Sequence, residues 1–225
     1  MLRDHHLHVP HENDGACRVA GTLKEHGIKP TDAVVLSGRN EPAWPMIFLG
    51  ILLADGVVVP VDPEMPEGDI ARIAEKAAAK LVILDENAGV TLEIPTLSVG
   101  DAFDAEPLSQ IAQRDRSNEV ASLLFTSGTT GDPKGVMLTH TNVLVNALAS
   151  IAPLGFDGAS RYLHCAPMFH LADAQMVFAV TLATGEHHVE PFLPPGTLGA
   201  IAKAGITHVV LVPTMIQMML GASQG

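Results

Sequence analysis

The chain has 225 residues, of which 47% are hydrophobic and 17% charged, and a formal net charge of −12. That length buries a substantial core, in one large domain or two close lobes, and the apolar content excludes a disordered protein. An acidic chain without a basic stripe is not expected to bind nucleic acid, and any polyanionic ligand must be held by local donors and a metal ion.

Residues 1–15 read as a polar, His-rich tail. His5, His6, His8 and His11, with Glu12, could chelate a metal, but short His-rich termini are more often functionally silent, so no metal ligand is assigned. The start lacks the apolar run of a signal peptide, and the isolated thiols of Cys17 and Cys165 suit a reducing, cytoplasmic setting. A first αβ lobe is expected over residues 16–115. In it Ala33–Ser37 is a buried strand, Glu41–Ala54 a mostly apolar helix ending at Gly56, and Val57–Val61 a strand closed by Asp62 and Pro63. Glu67–Ala79 has the spacing of an amphipathic helix, with Ile70, Ile73, Ala74 and Ala77 on one face and Arg72, Glu75 and Lys76 opposite. Lys80–Leu84 and Thr96–Val99 are strand-like, and polar Gly100–Glu119 reads as a solvated connector. The longest greasy stretch, Pro45–Val61, is broken by Asp55 and Gly56, so no membrane span is expected.

A second lobe is expected over residues 116–225. Thr139 or Thr141 caps a helix running to about Ile151, with Val143, Leu144, Ala147, Leu148 and Ile151 facing inward. Arg161–Cys165, His187–Glu190 and His208–Val212 are strands, separated by helical Leu171–Ala183 and Thr197–Ala204, and a last helix begins at Pro213. His164 sits in its strand without a role, and His187 and His188 read as a strand edge. Strands alternating with helices predict an α/β fold of layered lobes, with mostly parallel sheets covered by helices.

Chemistry concentrates between the strand Ala121–Phe125 and the apolar run Val136–Leu138. Thr126, Ser127, Gly128, Thr129, Thr130, Gly131, Asp132, Pro133, Lys134 and Gly135 fill that interval. Glycines permit close backbone approach, and hydroxyls with one lysine supply donors that wrap polyphosphate. A hairpin between two buried strands needs far fewer small polar residues. This is not a Walker loop, because no Ser or Thr follows Lys134.

The segment Leu123–His140 closely resembles the nucleotide signature of the adenylate-forming superfamily: acyl-CoA synthetases, aryl-CoA ligases, luciferases and peptide-synthetase adenylation domains. The resemblance implies a loop that embraces the β,γ-phosphates of ATP through Thr126, Ser127, Gly128, Thr129, Thr130, Gly131 and Lys134. It also implies Mg²⁺, coenzyme A as co-substrate and a carboxylic acid as the activated substrate. The segment His164–His170 is similar to the family stretch whose Phe-His pair borders the acyl pocket. Phe169 and His170 are thus expected to bind substrate, and Lys134 and His170 to carry catalysis. A packed aromatic beside a helix-capping histidine is the plainer alternative for that pair. Leu52–Pro63 resembles another stretch of the superfamily and reads as structural, Asp62 included. Met215, Met218 and Met219, at helical spacing, form either a core face or the wall of an acyl tunnel.

The resemblance covers only the front part of a full-length relative. The later Tyr-Gly-Xaa-Thr-Glu segment is absent, since the sole tyrosine, Tyr162, precedes Leu163. The small C-terminal domain with its catalytic lysine is absent too. The expected function is therefore an ATP-dependent carboxylate–CoA ligase for a fatty or other hydrophobic acid, present as an N-terminal fragment with weak or no turnover alone. A C-terminal half or a second copy of the chain would be its partner. Two alternatives stay open: a truncated, non-catalytic nucleotide- or partner-binding protein, and an amino-acid-activating adenylation domain.

Overall fold

The computed structural model describes residues 6–7, 9–85, 92–111, 114–126 and 133–222, with side chains from Asp14 onward. In chain order the elements are β1 (His6–Leu7), α1 (Val9–Glu25), β2 (Ala33–Ser37), α2 (Ala43–Leu53), β3 (Val57–Pro60), α3 (Glu67–Lys76), β4 (Leu81–Leu84) and β5 (Thr96–Ser98). They continue with β6 (Val120–Thr126), β7 (Lys134–Thr139), α4 (His140–Leu154), β8 (Arg161–His164), α5 (Leu171–Leu182), β9 (Glu186–Val189), α6 (Pro194–Ala204), β10 (His208–Val209) and α7 (Pro213–Ala222). The chain divides into two compact units. One contains Glu12–Gly38 and Ala43–Leu144; the other contains Met1–His11, Arg39–Pro42 and Val145–Gly225.

The unit of Glu12–Gly38 and Ala43–Leu144 is built on a six-stranded sheet in the order β5-β4-β2-β3-β6-β7. Every pairing is parallel except β6 with β7. Parallel neighbours need a crossover, and α2 and α3 supply two of them. Both faces are covered, so β2, β3 and β4 are buried along their whole length and read as continuous apolar runs. Ile70, Ile73 and Ala74 of α3 pack with Val35, Val59, Val82 and Leu84 of the sheet, with Ala77 partly buried beside them. Each of these buried Ile, Val and Leu side chains contributes about 1.5–3 kcal/mol by leaving water. Helices α1 and α2 approach closely: a Cβ on Gly50 would lie 2.5 Å from Val19 Cβ and 2.9 Å from the Ala16 carbonyl oxygen.

Three expectations are corrected. The helix expected to end at Gly56 ends at Leu53, and Asp55, with φ 68°, takes the left-handed position after it. Asp55 donates its N–H to Leu52, and Gly56 donates to Ile51 at 2.9 Å, which closes the helix end. The stretch Gly100–Glu119 is no solvated connector, because Ala102 and Ala105 are buried. The Ala105 N–H bonds the Thr22 hydroxyl, and Arg116 bonds the Leu52 carbonyl at 2.8 Å and pairs with Asp55. Finally, α4 starts as expected: Thr139 and Asn142 exchange side-chain-to-backbone hydrogen bonds at 3.0 and 3.2 Å, a capping box. Its face is narrower than the sequence predicts, however, since only Ala147 is buried and Leu144 and Leu148 are exposed.

The other unit carries a four-stranded sheet, β1-β9-β8-β10. The pairs β9–β8 and β8–β10 are parallel, while β1 runs antiparallel to β9. Phe156, Tyr162, Met176, Ala179 and Val180 form one core cluster, and Leu163, Cys165, Ala166 and Met215 another. Of the three spaced methionines, Met215 and Met219 are buried while Met218 is exposed. The core reading therefore holds for two of them. His187 is not at a strand edge: β9 lies between β1 and β8, and the side chain is fully buried.

Candidate functional site

The loop singled out in the sequence is held by the β6–β7 hairpin. The apolar β6 is fixed to β3 by the Ser122 hydroxyl, which donates to the Val58 carbonyl at 3.0 Å. Register then runs down to Phe125 opposite Gly135 and Thr126 opposite Lys134, the last pair before the loop. A Cβ on Gly135 would sit 2.9 Å from Leu123 Cδ1, so the glycine lets the ladder close tightly beside Lys134. Thr126 and Lys134 are both exposed. Ser127, Gly128, Thr129, Thr130 and Gly131 lie outside the described residues. The expectation of two buried strands is half met, because β7 is an exposed outer strand with Met137 67% accessible.

A second cation reaches this hairpin. Lys76, at the end of α3, donates from Nζ to the Pro133 carbonyl at 3.3 Å. In the sequence Lys76 belongs to the polar face of an amphipathic helix, and the two residues stand 57 positions apart. Only the packing of α3 on the sheet brings them together.

Phe169 and His170 are in the unit of Val145–Gly225. After β8 the chain turns: the His170 N–H bonds the Pro167 carbonyl at 3.0 Å. His170 then stands at the N-cap position of α5, with φ −90° and ψ 142°, while its side chain makes no cap bond. Phe169 is half-buried and His170 exposed, their rings 4.4 Å apart. An aromatic wall with an exposed imidazole beside it can line an apolar ligand and donate to a carboxylate.

Beneath this turn lies a polar network that the sequence reading missed. The Tyr162 hydroxyl donates to Asp173 Oδ1 at 2.8 Å, and His164 Nδ1 donates to the same oxygen at 3.2 Å. His164 Nε2 and His187 Nδ1 lie 2.9 Å apart, and His187 Nε2 meets the Thr181 hydroxyl at 3.1 Å. His164, His187, Asp173 and Tyr162 are all essentially inaccessible. Burial, with His164 and His188 nearby, holds His187 well below the ordinary imidazole range. Burial and the Asp173 charge push the Tyr162 phenol up, and push the Cys165 thiol up to about 12, so neither ionises near neutrality. The clue in the sequence was a histidine and an aspartate on facing elements, but β8 and α5 had to be docked to make it visible.

Elsewhere the structure gives the remaining candidates structural work. Asp62 Oδ1 accepts the Glu64 N–H at 2.9 Å and shapes the turn after β3, as the structural reading expects. Among the described residues, no group of three or more His, Cys, Asp or Glu side chains could hold a metal ion. No helix among them is long and apolar enough to cross a membrane.

Comparison with known proteins agrees with this architecture. The family model for AMP-binding enzymes matches residues 12–225. Feruloyl-CoA synthase from an Amycolatopsis species is 34% identical over 212 residues, which is 89% of this chain and 42% of that protein. Tyrocidine synthase 3 from Brevibacillus parabrevis is 32% identical over 148 residues, 60% of this chain and 2% of that protein. Among solved structures, the chain superposes on O-succinylbenzoate coenzyme A synthetase from Bacillus subtilis, in complex with AMP, with a TM-score of 0.85 at 22% identity. That match covers 95% of this chain and 57% of the other. ATP-bound MatB from Rhodopseudomonas palustris gives 0.81 at 25% identity, over 94% and 45%. The chain thus spans about half the length, or less, of the relatives it matches. It belongs to the AMP-binding, adenylate-forming enzyme family.

Proposed function

We propose that the chain is the ATP- and acid-binding part of a carboxylate–CoA ligase that acts on a hydrophobic acid, fatty or aromatic. The observation that carries this reading is the Thr126–Lys134 pair, the last of the hairpin ladder before a seven-residue segment of which five are glycine or hydroxyl residues. Lys134 is exposed at its mouth, with Lys76 bonded to its last residue. Two ammonium groups and a run of backbone donors suit a polyphosphate. The feruloyl-CoA synthases, whose match extends over most of the chain, favour an acid destined for CoA. Asp173 is buried, with Oδ1 engaged by Tyr162 and His164, which favours an acid without an amine over an amino acid.

In the complete reaction a carboxylate oxygen attacks the α-phosphorus of ATP. The P–O bond to the β-phosphate breaks, and pyrophosphate leaves from the acyl-adenylate. The CoA thiol, losing its proton, then attacks the acyl carbonyl and AMP departs. Lys134 holds the β,γ-phosphates as negative charge builds on the leaving group; Phe169 packs the acyl chain, and His170 donates to the carboxylate. The described residues offer no carboxylate cluster for Mg²⁺, and no step is assigned to it.

Titration with MgATP, followed by amide signals, tests the binding half: shifts at Thr126, Lys134 and Gly135 are expected, and unmoved signals there overturn it. Isotope exchange between pyrophosphate and ATP tests turnover. Exchange by the 225-residue chain alone should stay near background and respond to no acid, whereas robust acid-dependent exchange would show the chain to be sufficient by itself.

A further inference from the structure

Asn40 lies far in sequence from Phe169 and His170, yet it belongs to the same compact unit through the short segment Arg39–Pro42. Its side-chain nitrogen donates to the Ala166 carbonyl at 2.6 Å and to the His164 carbonyl at 3.4 Å. Its oxygen accepts the Met168 N–H at 3.0 Å. The opposite orientation of the amide would set its oxygen against two carbonyl oxygens, so the partners fix the orientation.

β8 ends at His164, and the chain then bends at Ala166 and turns from Met168, with the backbone groups of residues 164, 166 and 168 all reaching Asn40. The β9 strand pairs with β8 up to Glu190, whose N–H bonds the His164 carbonyl at 3.2 Å. Past the strand's end the Asn40 amide takes over, holding the Ala166 carbonyl and the Met168 N–H through the bend into the turn. Met168 is fully buried, so without Asn40 its N–H would lose its partner away from water. Two residues later the Pro167–His170 turn closes, and the His170 carbonyl accepts the N–H groups of Asp173 and Ala174 at 3.2 and 3.1 Å. Asp173 is tied back to β8 through Tyr162 and His164. The Phe169–His170 pair is thus bracketed, by Asn40 at Met168 and by Asp173 on the far side.

We propose that Asn40 is a positioning residue that sets the Phe169–His170 pair against the carboxylic acid. The proposal rests on the reading that this pair receives the acid. Misplacing binding groups by about 1 Å can cost on the order of 10²-fold. Asn40 touches neither reactant and acts through the backbone it holds.

The test is a titration of the full chain with ferulate and octanoate as probes, read from the ring signals of Phe169 and His170, with MgATP titrated in parallel. The Asn40→Asp variant keeps the acceptor for Met168 but turns a carboxylate oxygen toward the Ala166 carbonyl. Expected is a rise of about ten-fold or more in the acid Kd, with the MgATP Kd unchanged within about two-fold. If Asn40→Asp does not fold, Asn40→Ser, which cannot span both partners, is read the same way. Loss of amide protection at Met168 with an unchanged acid Kd overturns the proposal and leaves Asn40 a purely structural role. Should the wild-type ring signals ignore both acids while MgATP binds, the acid-site reading falls and the proposal falls with it.

Discussion

His164 and His187 lie stacked in the interior, ring centroids 5.2 Å apart and planes 13° from parallel, with facing nitrogens at 2.9 Å. One N–H fills that gap. His164 Nδ1 is committed to the Asp173 carboxylate, which can only accept, and His187 Nε2 is met by Thr181. The pair works as a polar rivet between β8, β9 and α5, and protonating His187 would place a charge where no water reaches it.

A pH dependence of stability follows. His187 is held below its unfolded value of about 6.5, so near that pH the unfolded chain takes up a proton that the folded chain refuses. Its contribution is fully present above that value and is lost as pH falls through the depressed folded value. Unfolding of the wild type between pH 7.5 and 4.5 should show a free energy that declines below about 6.5, by at most about 1.4 kcal/mol per pH unit from this group. His187→Gln should remove that component of the slope.

Lys134→Ala should slow acid-dependent pyrophosphate exchange in the complete enzyme by about one to two decades, the worth of one charge-assisted contact of about 1.5–3 kcal/mol. Lys76→Ala should weaken MgATP binding by only about two- to five-fold, since its contact is at the surface. Equal losses for the two variants would contradict the assignment of Lys134 as the principal phosphate ligand.

Gly50→Ala should destabilise the chain even though alanine is the better helix former by about 1 kcal/mol. The added methyl would meet the branched Val19 side chain at 2.5 Å and the Ala16 carbonyl at 2.9 Å, neither of which can swing aside. Overpacking of this kind costs about 1–3 kcal/mol, and denaturant unfolding would measure the balance. A neutral or stabilising result would mean that α1 and α2 separate easily.

Thr139→Ala should cost about 1 kcal/mol by unmaking the N-terminal box of α4. Thr141→Ala should also be felt, though through the Ser117 carbonyl that its hydroxyl bonds at 2.7 Å rather than through a cap. Chemical denaturation of the two single variants and the double variant separates these contributions, which should add if they are independent.

What could be read from residues alone was periodic and local. Ala33–Ser37 matched β2 to the residue because a buried parallel strand is an unbroken apolar run. The inward face of α3 was legible because its period is helical. Sequence reasoning failed where the deciding partner was distant. It ended the helix at Gly56 with no role for Asp55, which takes the left-handed position and faces Lys24, Arg114 and Arg116. Leu144 and Leu148 look like core residues, but a helical stripe does not say how much of it is covered. Of the phosphate-loop residues, Thr126 and Lys134 were found at the hairpin that the motif implies, but Lys76 and Asn40 carry no local mark. Each acts on a segment more than fifty residues away.

The outward position of β7 bears on how the protein is handled at the bench. On its free side, among the described residues, an unpaired row of amides runs beside Val136 and Met137. Such a margin invites edge-to-edge stacking of molecules as concentration rises. Replacing Met137 with lysine leaves Lys134 and the loop untouched and puts a charge at the middle of that margin, making it the first substitution to try when preparing concentrated samples for spectroscopy.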